Sequence, residues 1–249
     1  MNILVFDTET TSLDKPFCYN IGYVVVDASN WTTLVKRDFV VEQVWRNLPL
    51  FQSAYYADKR PIYVERMRSH KVIMDKFGYI CRQLSRDIKT FEIENAYAYN
   101  SPFDEKVFDF NCEWFKVINP FETLKVHDIR GYVHNFLIDE KFFDFCEKNN
   151  EFTENGNYST RAETVFRYIS ENYDFEEEHT ALSDSVIEAE ILQKMTERGA
   201  NIEIDYQVLR SIERKIERTL HIKTAEQTDY YFNYSKIRVN RERTEITLR

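Results

Sequence analysis

Glycine is scarce in this chain. The 249 residues hold five, at Gly22, Gly78, Gly131, Gly156 and Gly199. No two lie close enough to build a G-x-G-x-x-G turn or a Walker loop, which excludes a glycine-cradled nucleotide site of either type. Cysteine is equally sparse: Cys18, Cys81, Cys112 and Cys146 stand far apart, and no C-x-x-C pair exists. Neither a zinc site nor a disulfide scaffold is expected, only reduced and mostly buried thiols. No stretch approaches the roughly 18 consecutive apolar residues of a membrane helix. The opening Ile3-Leu4-Val5-Phe6 is too short for the apolar core of a signal peptide. The expectation is a cytoplasmic protein with no membrane partner. Positive charge is also in deficit. The net charge of −9 counts against binding a phosphate backbone unless charge is unevenly placed or metal ions intervene.

What is present is an ordinary globular composition, 43% hydrophobic and 30% charged, long enough for one large domain or a domain with an appendage. Residues 2–7, 19–27 and 34–42 read as strands rich in β-branched and aromatic residues. Asp27-Ala28-Ser29-Asn30 supplies turn chemistry, so three consecutive antiparallel strands are predicted. From about 60 to 90 the pattern is helical, with Ile73, Phe77, Ile80, Cys81, Leu84 and Ile88 at three- and four-residue steps. A strand at 94–99 and helices at 101–112, 127–137, 139–148, 160–172 and 181–198 follow. Strands first and then alternation predict an α/β domain with a mixed sheet. Residues 1–199 are assigned to that domain and 200–249 to an extension packed on it. The extension holds an amphipathic stripe (Val208, Leu209, Ile212, Ile216, Leu220) and a hairpin at 230–248.

Three segments carry candidate chemistry. The first is Asp7-Thr8-Glu9-Thr10-Thr11 at the end of the opening strand. Side chains alternate across a strand, so Ile3, Val5, Asp7 and Glu9 share one face. Residues two apart lie roughly 6.6 Å apart along the strand, a spacing from which two carboxylates can reach one or two divalent cations. Alone, the pair reads equally as two solvated acids. The second is Tyr99-Asn100-Ser101-Pro102-Phe103-Asp104. Ser101 suits a helix N-cap, Pro102 the first helical position and Asp104 a capping-box acid, a purely structural alternative to a metal ligand. The third is His179-Thr180-Ala181-Leu182-Ser183-Asp184, with the acid in the first turns of a helix and the histidine in the preceding loop. His179 could serve as general base, or be an exposed histidine beside a solvated run, Glu176-Glu177-Glu178. That run is expected to raise its pKa.

D-x-E on strand one, N-x-x-F-D before a middle helix and H-x-x-x-x-D at a late helix start resemble, together, the three motifs of the DEDDh exonucleases. These include proofreading epsilon subunits, RNase T and oligoribonuclease. The resemblance covers roughly residues 1–198. It implies an RNase H-like fold, a mixed five-stranded sheet flanked by helices, and 3′→5′ exonuclease activity releasing 5′-mononucleotides. Asp7, Glu9, Asp104 and Asp184 would be the ligands of two Mg²⁺ or Mn²⁺ ions, and His179 the base that activates water. Thr10, Leu13, Asn100 and Phe103 would contact the terminal nucleotide. Ser12 replaces the family's usual glycine, and the usual histidine-glycine segment between the first two motifs is missing, residues 45–90 differing.

The implied partner is a single-stranded nucleic-acid 3′ end, DNA favoured over RNA on family frequency. A polymerase or replication partner and a homodimer are further candidates. The alternatives within the same fold are an exoribonuclease, an endonuclease, and a non-catalytic subunit that binds nucleic acid or a polymerase. Two basic segments offer substrate contacts. One is 58–71, with Lys59, Arg60, Arg66, Arg68 and Lys71 against Asp58 and Glu65. The other is the tail, where Tyr230, Tyr231, Phe232 and Tyr234 precede Lys236, Arg238, Arg241 and Arg243, which also reads as a hairpin packing its aromatics inward.

Overall fold

The computed structural model describes residues 1–209 and, beyond them, the backbone of four strands at 219–223, 229–233, 237–239 and 246–248. Three strands open the chain: β1 (Asn2–Thr10), β2 (Cys18–Asp27) and β3 (Thr32–Val41). Short helices α1 (Glu42–Trp45) and α2 (Leu48–Phe51) lead to α3 (Arg60–Arg68), then β4 (Ile73–Asp75) and α4 (Phe77–Thr90). Next come β5 (Asn95–Ala98), α5 (Ser101–Phe115), β6 (Lys125–Asp128) and α6 (Ile129–Phe136). The helices α7 (Glu140–Asn149), α8 (Ala162–Ser170) and α9 (Ala181–Glu197) follow, and then β7 (Thr219–Lys223), β8 (Asp229–Asn233), β9 (Ile237–Val239) and β10 (Ile246–Leu248). The chain divides into two units, one of residues 1–142 and 160–208, the other of 143–159 and 209–249.

The larger unit is built on a six-stranded mixed sheet of order β4-β3-β2-β1-β5-β6. The predicted antiparallel trio is present: β1 pairs with β2 and β2 with β3. On its other edge β1 pairs in parallel with β5, and β5 with β6. As the central strand, β1 is buried on both faces, with Ile3, Leu4, Val5 and Phe6 at most 1% exposed. Leu4 and Phe6 join the core with Phe77, Ile80 and Leu84 of α4 and Phe108 of α5. Ile3, Val5 and Asp7 point to the opposite face by strand parity. The partner of Asp7 across the ladder is Gly22, so the two share that face. A Cβ on Gly22 would overlap the backbone of Ala181 and Leu182, which places the start of α9 directly over this pair.

Gly22 is therefore required by close approach, and Gly22→Ala must push the first turn of α9 away from the sheet. We expect a loss of about 3 kcal/mol, read by urea unfolding, from overpacking against backbone that cannot rotate aside.

The structure departs from the sequence expectations at four places. The sheet has six strands rather than five, because Ile73 is not part of a helical stripe: Ile73–Asp75 add to β3 as a three-residue parallel edge strand. A helix over the whole of 60–90 is thus broken between α3 and α4. Lys125–Asp128 form a strand, β6, that overlaps the start of the helix predicted at 127–137; Asp128 ends the strand and caps α6 by accepting from the Arg130 amide at 2.9 Å. Ser101 is the first helical residue of α5, not its N-cap; Asn100 takes the cap position in the left-handed region (φ 65°), which asparagine tolerates.

In the smaller unit, Phe152 and Tyr158 form an isolated antiparallel bridge with their rings 5.3 Å apart. β7 pairs with β8 and β9 with β10, both antiparallel. The predicted hairpin region thus contains paired strands. Most of the stripe beyond Leu209, and the side chains of the aromatic and basic tail, lie outside the described residues. All four cysteines are free and buried. Among the described residues, no helix is long and apolar enough to cross a membrane.

Candidate active site

The end of β1 delivers Asp7 and Glu9 to the face covered by α9. Glu9 is 8% exposed, and the buried Tyr19 hydroxyl donates to its Oε2 at 3.5 Å. Helix α9 starts where Thr180, in extended backbone, precedes Ala181. Its register is fixed to the sheet at two points. Asn20 Oδ1 accepts the Ala181 amide at 2.8 Å, and Ser185 Oγ donates to the Gly22 carbonyl at 3.0 Å. That docking brings Asp184, in the first turn, to the strand: oxygen atoms of Asp7, Glu9 and Asp184 all lie within 4.8 Å of one another. Carboxylates from strand one and from the late helix, 175 or more residues apart in sequence, meet as a group able to hold a divalent cation.

Asp104 takes a different position. It is 2% exposed at the start of α5, and its Oδ1 accepts from the Thr8 amide at 3.1 Å and the Thr8 hydroxyl at 2.6 Å. It is therefore not a capping-box acid, but a carboxylate tied to β1 between the other two motif acids. Its charge acts on Asp7. The turn that presents it is held from β6, where Asp128 accepts the Asn100 amide at 2.8 Å. The Asn100 side chain caps nothing.

The electrostatics are those of a site short of positive charge. Burial, then the charges of Asp104, Glu188, Asp184 and Glu9, push the Asp7 carboxyl well above its ordinary range. Burial and Asp184 do the same to Glu9. Burial raises Asp104 to about 7 against the opposing Thr8 hydrogen bonds, and burial with Glu177 raises Asp184 to about 8. Mutually repelling carboxylates with raised pKa values, packed at contact distance, are what a divalent cation relieves, so the donor set fits hard metal ions.

Two of these acids escaped the sequence reading. Glu188 is 3% exposed, accepts the Tyr99 amide at 3.1 Å, and is pushed well up by burial and by Asp104. A signal existed: 184, 188, 191 and 195 follow helical spacing, so an acid at 188 falls on the inward stripe of α9. Glu177 gave none, since it sits in an acidic run. Of that run only Glu176 is exposed. Glu177 is drawn inward, with burial raising it to about 7, while Glu178 pairs with Arg66 at 2.6 Å.

His179 adopts a left-handed backbone (φ 55°) and stacks its ring on Tyr56, centroids 4.3 Å apart and planes 13° from parallel. Its Nδ1 lies 3.6 Å from Glu177 Oε2. The expected rise in its pKa is not found: burial comes first and lowers it, outweighing the nearby acid Glu163. The charges of Glu9 and Asp184 act on Tyr56, whereas the charges that act on His179 are those of Glu163, Lys59 and Asp58.

The remaining sequence candidates are divided. Leu13 is 74% exposed on the loop after β1, and Lys106 Nζ donates to its carbonyl at 3.0 Å. Thr10 is partly buried, and Phe103 packs partly buried against the core. An unforeseen aromatic, Tyr55, is 87% exposed and meets Tyr56 edge to face at 4.8 Å. Two cations of the 58–71 segment are engaged internally. The Arg60 guanidinium lies over the Trp45 ring at 4.1 Å, and Arg66 serves the network around Glu178.

These features define the fold as that of the DEDDh exonucleases, a mixed sheet with helices on both faces and the acids at the end of its central strand. Among solved structures, the chain is similar to the nuclease domain of 3′hExo, a DEDDh family member, bound to rAMP (TM-score 0.55, 14% identity, 80% of this chain and 92% of that one). It is similar to a 3′-exonuclease in 3′-end specific recognition of a histone mRNA stem-loop (0.56, 14%, 80% and 82%). It is also similar to a full-length 3′-exonuclease (0.56, 13%, 94% and 67%). No family model and no curated protein matches the chain.

Proposed function

We propose that this chain is a metal-dependent 3′→5′ exonuclease that hydrolyses single-stranded nucleic acid from its 3′ end and releases 5′-mononucleotides. The observation that carries the reading is the meeting of Asp7, Glu9 and Asp184 within 4.8 Å, from opposite ends of the domain sequence. Asp7, Glu9, Asp104 and Asp184 would hold two Mg²⁺ or Mn²⁺ ions. Such ions, when bound, stabilise charge on the attacking and leaving oxygens of a phosphodiester.

The chain's own groups do the rest. His179, uncharged because burial lowers its pKa, is ready to accept a proton from water at neutral pH. The Glu177 carboxylate faces Nδ1, which favours the proton on that nitrogen and leaves Nε2 as the acceptor. Leu13 and Tyr55 expose apolar and aromatic surface that would cover the terminal base, and Thr10 ends β1 while Asn100 and Phe103 follow β5, its parallel neighbour. The exonuclease reading belongs to residues 1–199, with 200–249 as its extension.

DNA is the strand put first by the sequence resemblance. The similar structures that hold rAMP and a histone mRNA stem-loop favour RNA as the second reading. One experiment tests the proposal: matched 3′-labelled DNA and RNA strands, each with Mg²⁺, Mn²⁺ or EDTA. Mononucleotide release that needs the metal is expected from one strand at least. Cutting of a circular single strand would instead identify an endonuclease. No release from any strand would leave a non-catalytic binding subunit.

A further inference from the structure

Within residues 45–90, which differ from the usual histidine-glycine segment, one arginine makes polar contacts with the loop that carries His179. Arg66 of α3 reaches both neighbours of that histidine. Its Nη2 donates to Glu178 Oε2 at 2.6 Å and its Nη1 to Thr180 Oγ1 at 2.9 Å. Asp38, 5% exposed on β3, holds the guanidinium from behind at 3.6 Å. Asn20 completes the grip. Its Nδ2 donates to Asp38 and to the Phe39 carbonyl, and its Oδ1 accepts from the Tyr63 hydroxyl and the Ala181 amide. All four hydrogen-bonding positions of this amide are used, so it has one orientation.

We propose that Arg66 is a positioning residue for His179, holding the residues on either side so that the imidazole stays against Tyr56 with its Nδ1 towards Glu177. This rests on the exonuclease reading for its catalytic consequence, though not for its geometry. A left-handed non-glycine residue persists only where its surroundings hold it. Here residues 178, 180 and 181 are each tied by a side chain from β2 or α3. The arginine is suited to the task because its planar fork makes two separated, directed bonds; lysine offers a single charged point. The two acids that face it, Asp38 and Glu178, balance its charge locally, which argues against Arg66 as a free phosphate contact.

The test is the Arg66→Ala enzyme with a 3′-labelled strand and Mg²⁺. The expected result is a fall in kcat of about 10–100-fold, the scale of a catalytic group displaced by an ångström. KM and the Mg²⁺ concentration for half-maximal rate should stay unchanged. Arg66→Lys should recover part of the loss. In a His179→Ala background the same change should cost nothing further, since both act through one group. In parallel, the His179 ring-proton resonance should lie upfield under the Tyr56 ring in the wild type and move towards a free-histidine position in Arg66→Ala. A full additional loss in the His179→Ala background, a change in KM or Mg²⁺ requirement in place of kcat, or an unmoved His179 resonance would overturn the proposal. If Arg66→Ala does not fold, Thr180→Val, which removes one of the two bonds, must show the same kcat and resonance changes. A wild type inactive on all strands would instead remove the exonuclease reading, and the resonance shift alone would then decide whether the clamp exists.

Discussion

Asp7→Asn is expected to abolish metal-dependent release while making the metal-free protein more stable. The two effects have one cause. Asp7 stands at the centre of the acid group, and the charges of Asp104, Glu188, Asp184 and Glu9 all act on it. Replacing it with an uncharged isostere removes the cost of either ionising this carboxyl among its neighbours or holding it protonated, without a change in shape. The thermal midpoint in EDTA should rise, by about 2–4 °C for each kcal/mol gained in a domain of this size. The same carboxylate is one of the three whose oxygens lie within 4.8 Å of one another. Losing it should lower the rate by about a thousandfold or more, since roughly 4 kcal/mol of transition-state stabilisation corresponds to three decades. A melt in EDTA and a time course with Mg²⁺ check both halves. An active Asp7→Asn enzyme sinks the proposed site. An inactive enzyme that is also less stable would mean that Asp7 is a structural acid rather than a strained functional one.

The parts of this site legible in the sequence are those fixed by local geometry. Strand parity alone puts Asp7 and Glu9 on one face, and the helical stripe of α9 puts Asp184 inward in its first turn. The predicted strand trio also follows from local composition, because each strand alternates or runs apolar between turn residues. What the sequence did not disclose depends on contacts between distant segments. The capping reading of Asp104 failed because its partner is Thr8, 96 residues earlier. The rise expected in the His179 pKa failed because proximity in sequence to three glutamates does not say which way they point. Glu178 turns to Arg66, the Glu177 carboxyl that faces Nδ1 is itself pushed up to about 7 by burial, and burial of the ring decides the sign. In the basic segment 58–71 a charge count could not say which cations have internal partners. Arg60 and Arg66 face Trp45 and Glu178. β6 was lost because a four-residue strand running into its own helix cap leaves almost no periodic signal.

The acidity at the end of β1 also answers the objection raised by the net charge of −9. The charge is unevenly placed: Asp7, Glu9, Glu177, Asp184 and Glu188 converge where the cations would bind, and their excess negative charge matters only while the site is metal-free. This leads to the second large prediction, on pH. Asp104 and Asp184 have native pKa values of about 7 and 8, far above those of an unfolded chain. Between the unfolded and native values, the folded protein binds more protons than the unfolded one. The stabilisation is therefore complete near pH 4 and is lost as pH rises through about 7 to 8, the native pKa values of these two groups. His179, with its pKa lowered, works in the other direction, but only below its ordinary value of about 6.5. Above that the acids act alone. In EDTA the thermal midpoint should fall by on the order of 10 °C from pH 6.5 to 9. With Mg²⁺ in excess the fall should largely disappear, because ionised carboxylates are then paired and metal binding displaces their protons. Calorimetric titration of Mg²⁺ at pH 7 in two buffers of different ionisation heat should show at least one proton released per protein. Equal heats in both buffers, together with a midpoint in EDTA that does not move with pH, would show that these carboxylates are already ionised without metal and that repulsion between them is not what the cations relieve.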